Sequence, residues 1–123
     1  MQSNTEQNLN DISGMIIGAS IEVHKQLGAG LLESVYEACL VEELKNCGLD
    51  VEQQKQLPIY YKGKRVKEDF RLDLLIEGEV VVEIKAVDKL LPIHEAQLLT
   101  YMKLTQCSLG LLSTLMKEHL SKE

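Results

Sequence analysis

The sequence has only three cysteines, no long apolar run and no excess of basic residues. No apolar run approaches the ~18 residues that a membrane-spanning helix needs, which excludes a span of that kind. The first ten residues are polar and lack the apolar core of a signal peptide, so we expect no secretory signal. The three cysteines are odd in number and lack zinc-finger spacing, which indicates reduced thiols in a cytoplasmic protein.

The shortage of basic side chains argues at first against a nucleic-acid partner, because phosphate binding needs clustered lysine and arginine. The net charge is −6, from 13 basic and 19 acidic residues. Residues 54–71, however, hold six bases and two acids, whereas residues 1–53 hold two bases and nine acids, and residues 72–123 hold five and eight. One short basic segment therefore lies inside an acidic chain.

The length of 123 residues suits one compact domain, and 45% hydrophobic with 26% charged residues is globular usage. This composition excludes collagen-like, low-complexity and wholly disordered chains. We predict a polar N-terminal tail over 1–11, a single domain over 12–115 and a divergent or truncated C-terminal tail over 116–123.

Three segments carry helical periodicity. The first helix is predicted to be capped by Asn10 or Asp11, the second to run from about residue 31 to Asn46 before the C′ glycine Gly48, and the third from Pro92 to about Thr105. The residues predicted to face inward on the first helix are Ile12, Met15, Ile16, Ala19, Val23 and Leu27. Those on the second are Leu32, Val35, Tyr36, Leu40 and Leu44.

Alternating apolar residues predict three strands between the second and third helices, and a short apolar run at 109–112 predicts a fourth. The first strand ends at a Lys62-Gly63 hairpin turn, and Pro58, which has no N–H, places it at a sheet edge. The resulting order ααβββαβ predicts a mixed α/β domain.

The loop between the second and third strands decides which of their residues meet. A three-residue loop at 77–79 makes one hairpin face uniformly apolar, whereas a two-residue loop would mix apolar and charged positions. The apolar pairs predicted by the three-residue loop are Ile76 with Val80, Leu74 with Val82 and Leu72 with Ile84. On the opposite face, this register places Asp73 directly across from Glu83.

Two carboxylates about 5 Å apart repel each other unless a cation or a shared proton lies between them. Mg²⁺ and Mn²⁺ suit carboxylate oxygen, and Lys85 projects from the same face as Glu83 by the two-residue period of a strand. A metal beside an ammonium group is suited to phosphodiester hydrolysis. The alternative is an ordinary charged solvent face, but the apolar run at 80–82 favours a buried strand, where charges need partners.

Two groups of helical residues are candidate functional groups that also have an ordinary structural explanation. His94, Gln97 and Tyr101 fall within an arc of about 60°, which would let them line a cleft, or else form a partly exposed polar face. Glu33 and Tyr36 lie one helical turn apart, and Glu33 by itself is explained as a first-turn acid that the helix dipole favours.

Taken together, these motifs resemble those of the GxxExxY proteins of the PD-(D/E)XK nuclease superfamily, over about residues 12–112. The naming motif is Gly30, Glu33 and Tyr36. The later blocks are Phe70-Arg71-x-Asp73, then Val82-Glu83-Ile84-Lys85-Ala86-Val87, then Pro92-x-His94-Glu95-Ala96-Gln97-Leu98-x-x-Tyr101. The resemblance implies a restriction-endonuclease-like mixed sheet flanked by helices.

The resemblance also implies roles for individual residues. Asp73, Glu83 and the backbone carbonyl of Ile84 would bind Mg²⁺ or Mn²⁺, with Lys85 as the catalytic lysine and Glu33 as an assisting acid. Gln97 and Tyr101 match a Q-x-x-x-Y signature that positions substrate in RecB-like nucleases, and His94 and Tyr36 are assigned to the same task. The basic residues expected to contact the nucleic-acid backbone are Lys62, Lys64, Arg65, Lys67 and Arg71.

The expected function is therefore a metal-dependent nuclease, with DNA favoured over RNA as substrate. The alternative is a non-catalytic nucleic-acid-binding or protein-interaction module on the same fold. After Leu112 the sequence departs from the basic strand that such proteins usually carry, which indicates a truncated or divergent tail. A sheet edge left open in this way would be covered by a second copy in a homodimer.

Overall fold

The computed structural model describes residues 2–28, 30 and 32–114, and these form seven elements in the predicted order ααβββαβ. The helices are α1 (Gln2–Leu27), α2 (Glu33–Asn46) and α3 (Pro92–Thr105), and the strands are β1 (Val51–Tyr61), β2 (Lys64–Ile76), β3 (Val80–Lys85) and β4 (Leu109–Thr114). The mixed α/β class is confirmed. Within the described ranges, no helix has the length and apolar character needed to cross a bilayer.

The four strands form one mixed sheet in the order β1-β2-β3-β4. β1, β2 and β3 are antiparallel neighbours, and β4 returns through α3 to lie parallel to β3. Helices α1 and α2 cover one face, where they bury Leu74, Ile76, Val80, Val82 and Ile84. Helix α3 covers the other face through Leu98, so the sheet lies between two helical layers, consistent with a restriction-endonuclease-like fold.

Both hairpins have the predicted turns. Lys62 and Gly63 join β1 to β2 with φ angles of 51° and 81°, the left-handed pair of a type I′ turn. The three-residue loop at 77–79 is confirmed, since Ile76 pairs with Val80 and Leu74 with Val82. The position of β1 at the sheet edge, indicated by Pro58, is also confirmed.

The predicted apolar face is wrong at Leu72. Leu74 and Ile76 pack with α1 and α2, as predicted, but Leu72 belongs to the cluster on the α3 side. Because alternate residues of a regular strand share a face, Leu72 and Leu74 on opposite faces mean that β2 is kinked at Asp73. The observed pairing between β2 and β3 correspondingly runs over 74–76 and does not include a Leu72–Ile84 pair.

The first helix begins earlier than predicted and buries a narrower stripe. α1 begins at Gln2, so the prediction of a cap at Asn10 or Asp11 is wrong. Ile12, Ile16, Ala19 and Val23 are buried as predicted, whereas Met15 and Leu27 are exposed. The predicted tail at 116–123 lies outside the described residues.

Helix α2 ends as predicted but starts two residues later than position 31. Its end is a Schellman motif, in which the N–H of Gly48 bonds to Lys45 and that of Leu49 to Leu44, with Gly48 at a φ of 85°. Leu32 precedes the first turn and Val35 lies on its outer side, so both are exposed, contrary to the prediction. The buried positions on α2 are Tyr36, Glu37, Leu40, Val41 and Leu44.

Candidate active site

Asp73 and Glu83 meet where the backbone pairing of β2 with β3 ends. Beyond that point, their side chains accept the backbone hydrogen bonds that a partner strand would otherwise accept. The backbone N–H of Asp73 donates to Glu83 Oε2 at 2.8 Å, and the N–H of Ile84 donates to Asp73 Oδ2 at 2.7 Å. Each carboxylate thus accepts a backbone hydrogen bond from the opposite strand. This exchange holds both side chains in place and explains the kink that turns Leu72 to the other face.

Glu83 is the most deeply buried carboxylate of this group, with 2% of its surface exposed. Burial raises the pKa of Glu83 to about 7, and the nearby charge of Asp73 acts in the same direction. The hydrogen bond from the Asp73 backbone and the charge of Lys85 oppose the rise. The charged form of Glu83 is therefore costly in the metal-free protein, and a cation bound beside it would remove that cost.

Lys85 and Glu33 lie at the same end of β3. Lys85 Nζ is 3.7 Å from Glu83 Oε1, and its side chain retains 22% exposure. Burial raises the pKa of Glu33, and the charge of Asp73 adds to this, while the charge of Lys85 and a hydrogen bond from the Ala86 backbone oppose it. The structure therefore brings the four predicted catalytic residues Asp73, Glu83, Lys85 and Glu33 close together.

The residues present fit a hard divalent cation. Asp73 and Glu83 offer carboxylate oxygens, and Mg²⁺ is commonly held in proteins by one or two carboxylates while it keeps several waters. Among the described residues, no group of three or more His, Cys, Asp or Glu side chains is arranged to hold a metal ion. The third ligand predicted from the sequence, the Ile84 carbonyl, stays a prediction.

Sequence reasoning did not identify a fourth carboxylate, Glu37, that adjoins the site. Glu37 on α2 is 8% exposed and accepts hydrogen bonds from the amides of Gln53 and Gln54 on β1. Gln54 Nε2 also lies 3.5 Å from Asp73 Oδ1. The single sequence signal for Glu37 is a charge on the buried side of a helix, next to Tyr36, and that signal does not reveal its partners.

Tyr101 and Gln97 on α3 line a shallow cavity of about 150 Å³ together with Phe70, Ile93, Ala96 and Thr100. The rings of Phe70 and Tyr101 meet edge to face, with centroids 5.5 Å apart. Burial raises the pKa of the Tyr101 phenol, and the charges of Glu83 and Asp73 raise it further. The predicted Gln97 and Tyr101 stripe thus lines one cavity, and its Tyr101 phenol lies within electrostatic reach of the carboxylates.

The other two residues assigned to substrate positioning have different surroundings. His94 accepts a hydrogen bond at Nδ1 from the N–H of Leu91 at 2.9 Å, which caps the start of α3. Tyr36 is fully buried, and its hydroxyl lies 2.8 Å from Ser113 Oγ. With no exposed surface, Tyr36 packs inside the protein and joins α2 to β4, and the substrate-positioning role assigned to it stays a prediction.

The basic residues lie along the β1–β2 hairpin. Lys62, Lys64, Arg65, Lys67 and Arg71 are all exposed. Arg65 pairs with Asp69 at 3.3 Å, and Lys62 Nζ lies 5.5 Å from the centroid of the Tyr61 ring. Nine residue steps separate Lys64 from Asp73 along β2, which is about 30 Å in an extended strand. The hairpin therefore extends positive charge away from the carboxylates over about one turn of a DNA helix.

Comparison with known proteins supports a family assignment. A search of curated proteins and a search of solved structures each returned no match. A scan against protein-family models matches the PD-(D/E)XK nuclease superfamily over residues 10–123. The matched region includes Asp73, Glu83 and Lys85, and it spans most of the sequence. The chain therefore belongs to the PD-(D/E)XK nuclease superfamily.

Proposed function

We propose that the protein is a Mg²⁺- or Mn²⁺-dependent nuclease that hydrolyses phosphodiester bonds, with DNA as the preferred substrate over RNA. The observation that carries this proposal is the pair of carboxylates held across the two strands, in which Glu83 accepts from the Asp73 N–H and Asp73 accepts from the Ile84 N–H, with Lys85 beside them. Burial raises the pKa of Glu83 to about 7 opposite a second carboxylate, and carboxylates perturbed in this way beside a charged partner cluster at functional sites.

Each residue of the candidate site has a distinct task in this proposal. Asp73 and Glu83 would hold the divalent ion, which supplies a polarised phosphate and an activated water when bound. Lys85 places its ammonium group where it orients the attacking water or offsets the charge that develops on the phosphate. Gln97 and Tyr101 line the cavity on α3, and the charges of Glu83 and Asp73 reach the Tyr101 phenol, so these two side chains would orient the substrate.

Replacing Asp73 with asparagine is expected to weaken Mn²⁺ binding by at least about 10-fold and to reduce plasmid cleavage to background. Asparagine keeps an oxygen that can accept the Ile84 N–H bond, so the hairpin stays folded while the ligand loses its charge. Mn²⁺ affinity is measured by electron paramagnetic resonance, with Asp69→Asn on the same strand as the matched control.

The outcomes of this experiment separate the two functional hypotheses. Wild-type protein that binds DNA but neither binds Mn²⁺ nor cleaves would contradict the nuclease proposal and favour a non-catalytic nucleic-acid-binding module. Metal-dependent cleavage that persists in Asp73→Asn would show that the chemistry occurs at another place. Asp69→Asn is expected to bind Mn²⁺ like the wild type, because Asp69 pairs with Arg65.

The hairpin has its own test, because phosphate contacts depend on salt. Replacing Lys64 with alanine is expected to reduce the slope of log affinity for duplex DNA against log salt by about 1, since one counterion fewer is released. Lys103→Ala, an exposed lysine on α3, is the control and is expected to leave the slope unchanged. Equal slopes for the wild type and Lys64→Ala would exclude a phosphate contact at this position.

Three finer assignments are part of the same proposal. Membership of the GxxExxY group is supported by Gly30, Glu33 and Tyr36 and by the later motif blocks. A cytoplasmic location is supported by the free thiols of the three cysteines, since disulfides are rare there. A homodimer is supported by the position of β4 at the edge of the described sheet, where a second copy would add strands.

A further inference from the structure

Gln54 lies opposite Asp73 and departs from regular strand geometry at that point. The pairing of β1 with β2 includes Gln53 with Leu74 and Lys55 with Leu72, but it skips the Gln54–Asp73 position between them. Gln54 has a φ of 50°, a left-handed backbone conformation that residues other than glycine rarely adopt. Both strands are therefore irregular at the same level of the sheet, and one of the two residues is a candidate metal ligand.

The side chain of Gln54 bridges two carboxylates. Its Nε2 atom lies 2.9 and 3.2 Å from the two carboxylate oxygens of Glu37 and 3.5 Å from Asp73 Oδ1. An amide NH₂ group carries two hydrogens, so one group can donate to both acids at once. Because both neighbours are acceptors, the NH₂ end and not the amide oxygen must face them. Gln54 thus links Asp73 to Glu37 without adding charge.

Glu37 provides the fixed end of this bridge. It lies on the buried side of α2 and is 8% exposed, and Gln53 Nε2 donates to it at 3.2 Å. A buried carboxylate needs hydrogen-bond partners, and the described partners of Glu37 are the two adjacent glutamine amides. Of these two amides, only that of Gln54 also reaches Asp73.

We propose that Gln54 is a positioning residue for the divalent-cation site, which orients the Asp73 carboxylate by anchoring it to Glu37. This inference rests on the nuclease function proposed above. The backbone N–H of Ile84 holds Asp73 Oδ2, and Gln54 steers Oδ1, so both oxygens are restrained before a cation arrives. Partners that orient a metal ligand in this way commonly change metal affinity by 10- to 100-fold when they are removed.

Replacing Gln54 with leucine tests the bridge, because leucine has a similar size and no donor. Gln54→Leu is expected to weaken Mn²⁺ binding by about 10-fold or more, as measured by electron paramagnetic resonance. Gln53→Leu is the matched control, since it removes a hydrogen bond to the same Glu37 without touching Asp73. The control is expected to bind Mn²⁺ within a factor of about two of the wild type.

Gln54→Gly separates the side chain from the strained backbone. Glycine adopts a positive φ readily, so this variant keeps the strand geometry and loses only the amide. If the amide orients Asp73, Gln54→Gly weakens Mn²⁺ binding as much as Gln54→Leu does. If Gln54 matters only through its backbone, Gln54→Gly binds Mn²⁺ like the wild type, and the proposal is overturned.

The wild-type measurement distinguishes this inference from the function on which it rests. Wild-type protein that does not bind Mn²⁺ contradicts the nuclease proposal itself. Wild-type binding that is equal in Gln54→Leu overturns the role of Gln54 and leaves the nuclease proposal intact. Urea unfolding of each variant, with Gln53→Leu as reference, measures how much of the variant is folded. The loss of Mn²⁺ affinity is then compared with the loss of folded protein.

Discussion

Replacing Lys85 with alanine is expected to lower the rate of DNA cleavage by about 100- to 1,000-fold while Mn²⁺ binding persists. Lys85 Nζ lies 3.7 Å from Glu83 Oε1, which places a positive charge beside the candidate ligands without making it a ligand. A group that stabilises charge only in the transition state affects the chemical step more than metal or substrate binding. Single-turnover cleavage and Mn²⁺ titration of the same protein measure the two quantities separately.

The control for this prediction is Lys89→Ala, which removes an exposed lysine from the loop after β3. It is expected to leave the single-turnover rate unchanged and to show that overall positive charge is not what matters. The titration is performed at about pH 8, because Lys85 lowers the pKa of Glu83 and its removal makes that acid easier to protonate. A Lys85→Ala rate equal to the wild-type rate would eliminate Lys85 as a catalytic residue.

The free energy of unfolding of the metal-free protein is expected to fall as pH rises from about 5 to about 8, by about 3 kcal/mol at most from Glu83. Burial raises the pKa of Glu83 from 4.5 to about 7 in the folded state, so the folded protein binds the proton more tightly than the unfolded chain does. The stabilisation is complete below about pH 4.5 and is lost as pH passes through about 7. Urea unfolding at several pH values measures it.

Glu83→Gln isolates this contribution, because glutamine has no proton to release over this range. Burial lowers the pKa of His24, so the contribution of His24 to the free energy of unfolding rises with pH, opposite to that of Glu83. The comparison with the variant separates the two contributions. The variant is expected to show a flatter pH profile than the wild type. Added Mn²⁺ is expected to restore wild-type stability more at pH 8 than at pH 5, because the cation and the proton compete for Glu83. Identical pH profiles for the two proteins would contradict the raised pKa.

Much of the fold was predictable because local physical chemistry specifies it. Pro92 begins α3 as predicted, because proline is preorganised for the first helical position, and Gly48 follows α2 because a left-handed residue is needed there. The register of the second hairpin followed from keeping apolar residues on one face. That register brings Asp73 and Glu83 together, so the centre of the candidate site could be predicted from the sequence.

The sequence by itself therefore determined the element order, both hairpin turns and the juxtaposition of Asp73 and Glu83. Only the tertiary structure decided that Leu72 turns to the α3 side, that the Tyr36 hydroxyl meets Ser113, and that Gln54 joins Glu37 to Asp73. The alternation of faces along a strand assumes regular backbone pairing with its neighbour. Between β2 and β3 this pairing ends at Asp73, where carboxylates accept the backbone hydrogen bonds instead. Contacts between α2 and β1 join residues 17 positions apart in the sequence, and no local pattern encodes which amide meets which acid.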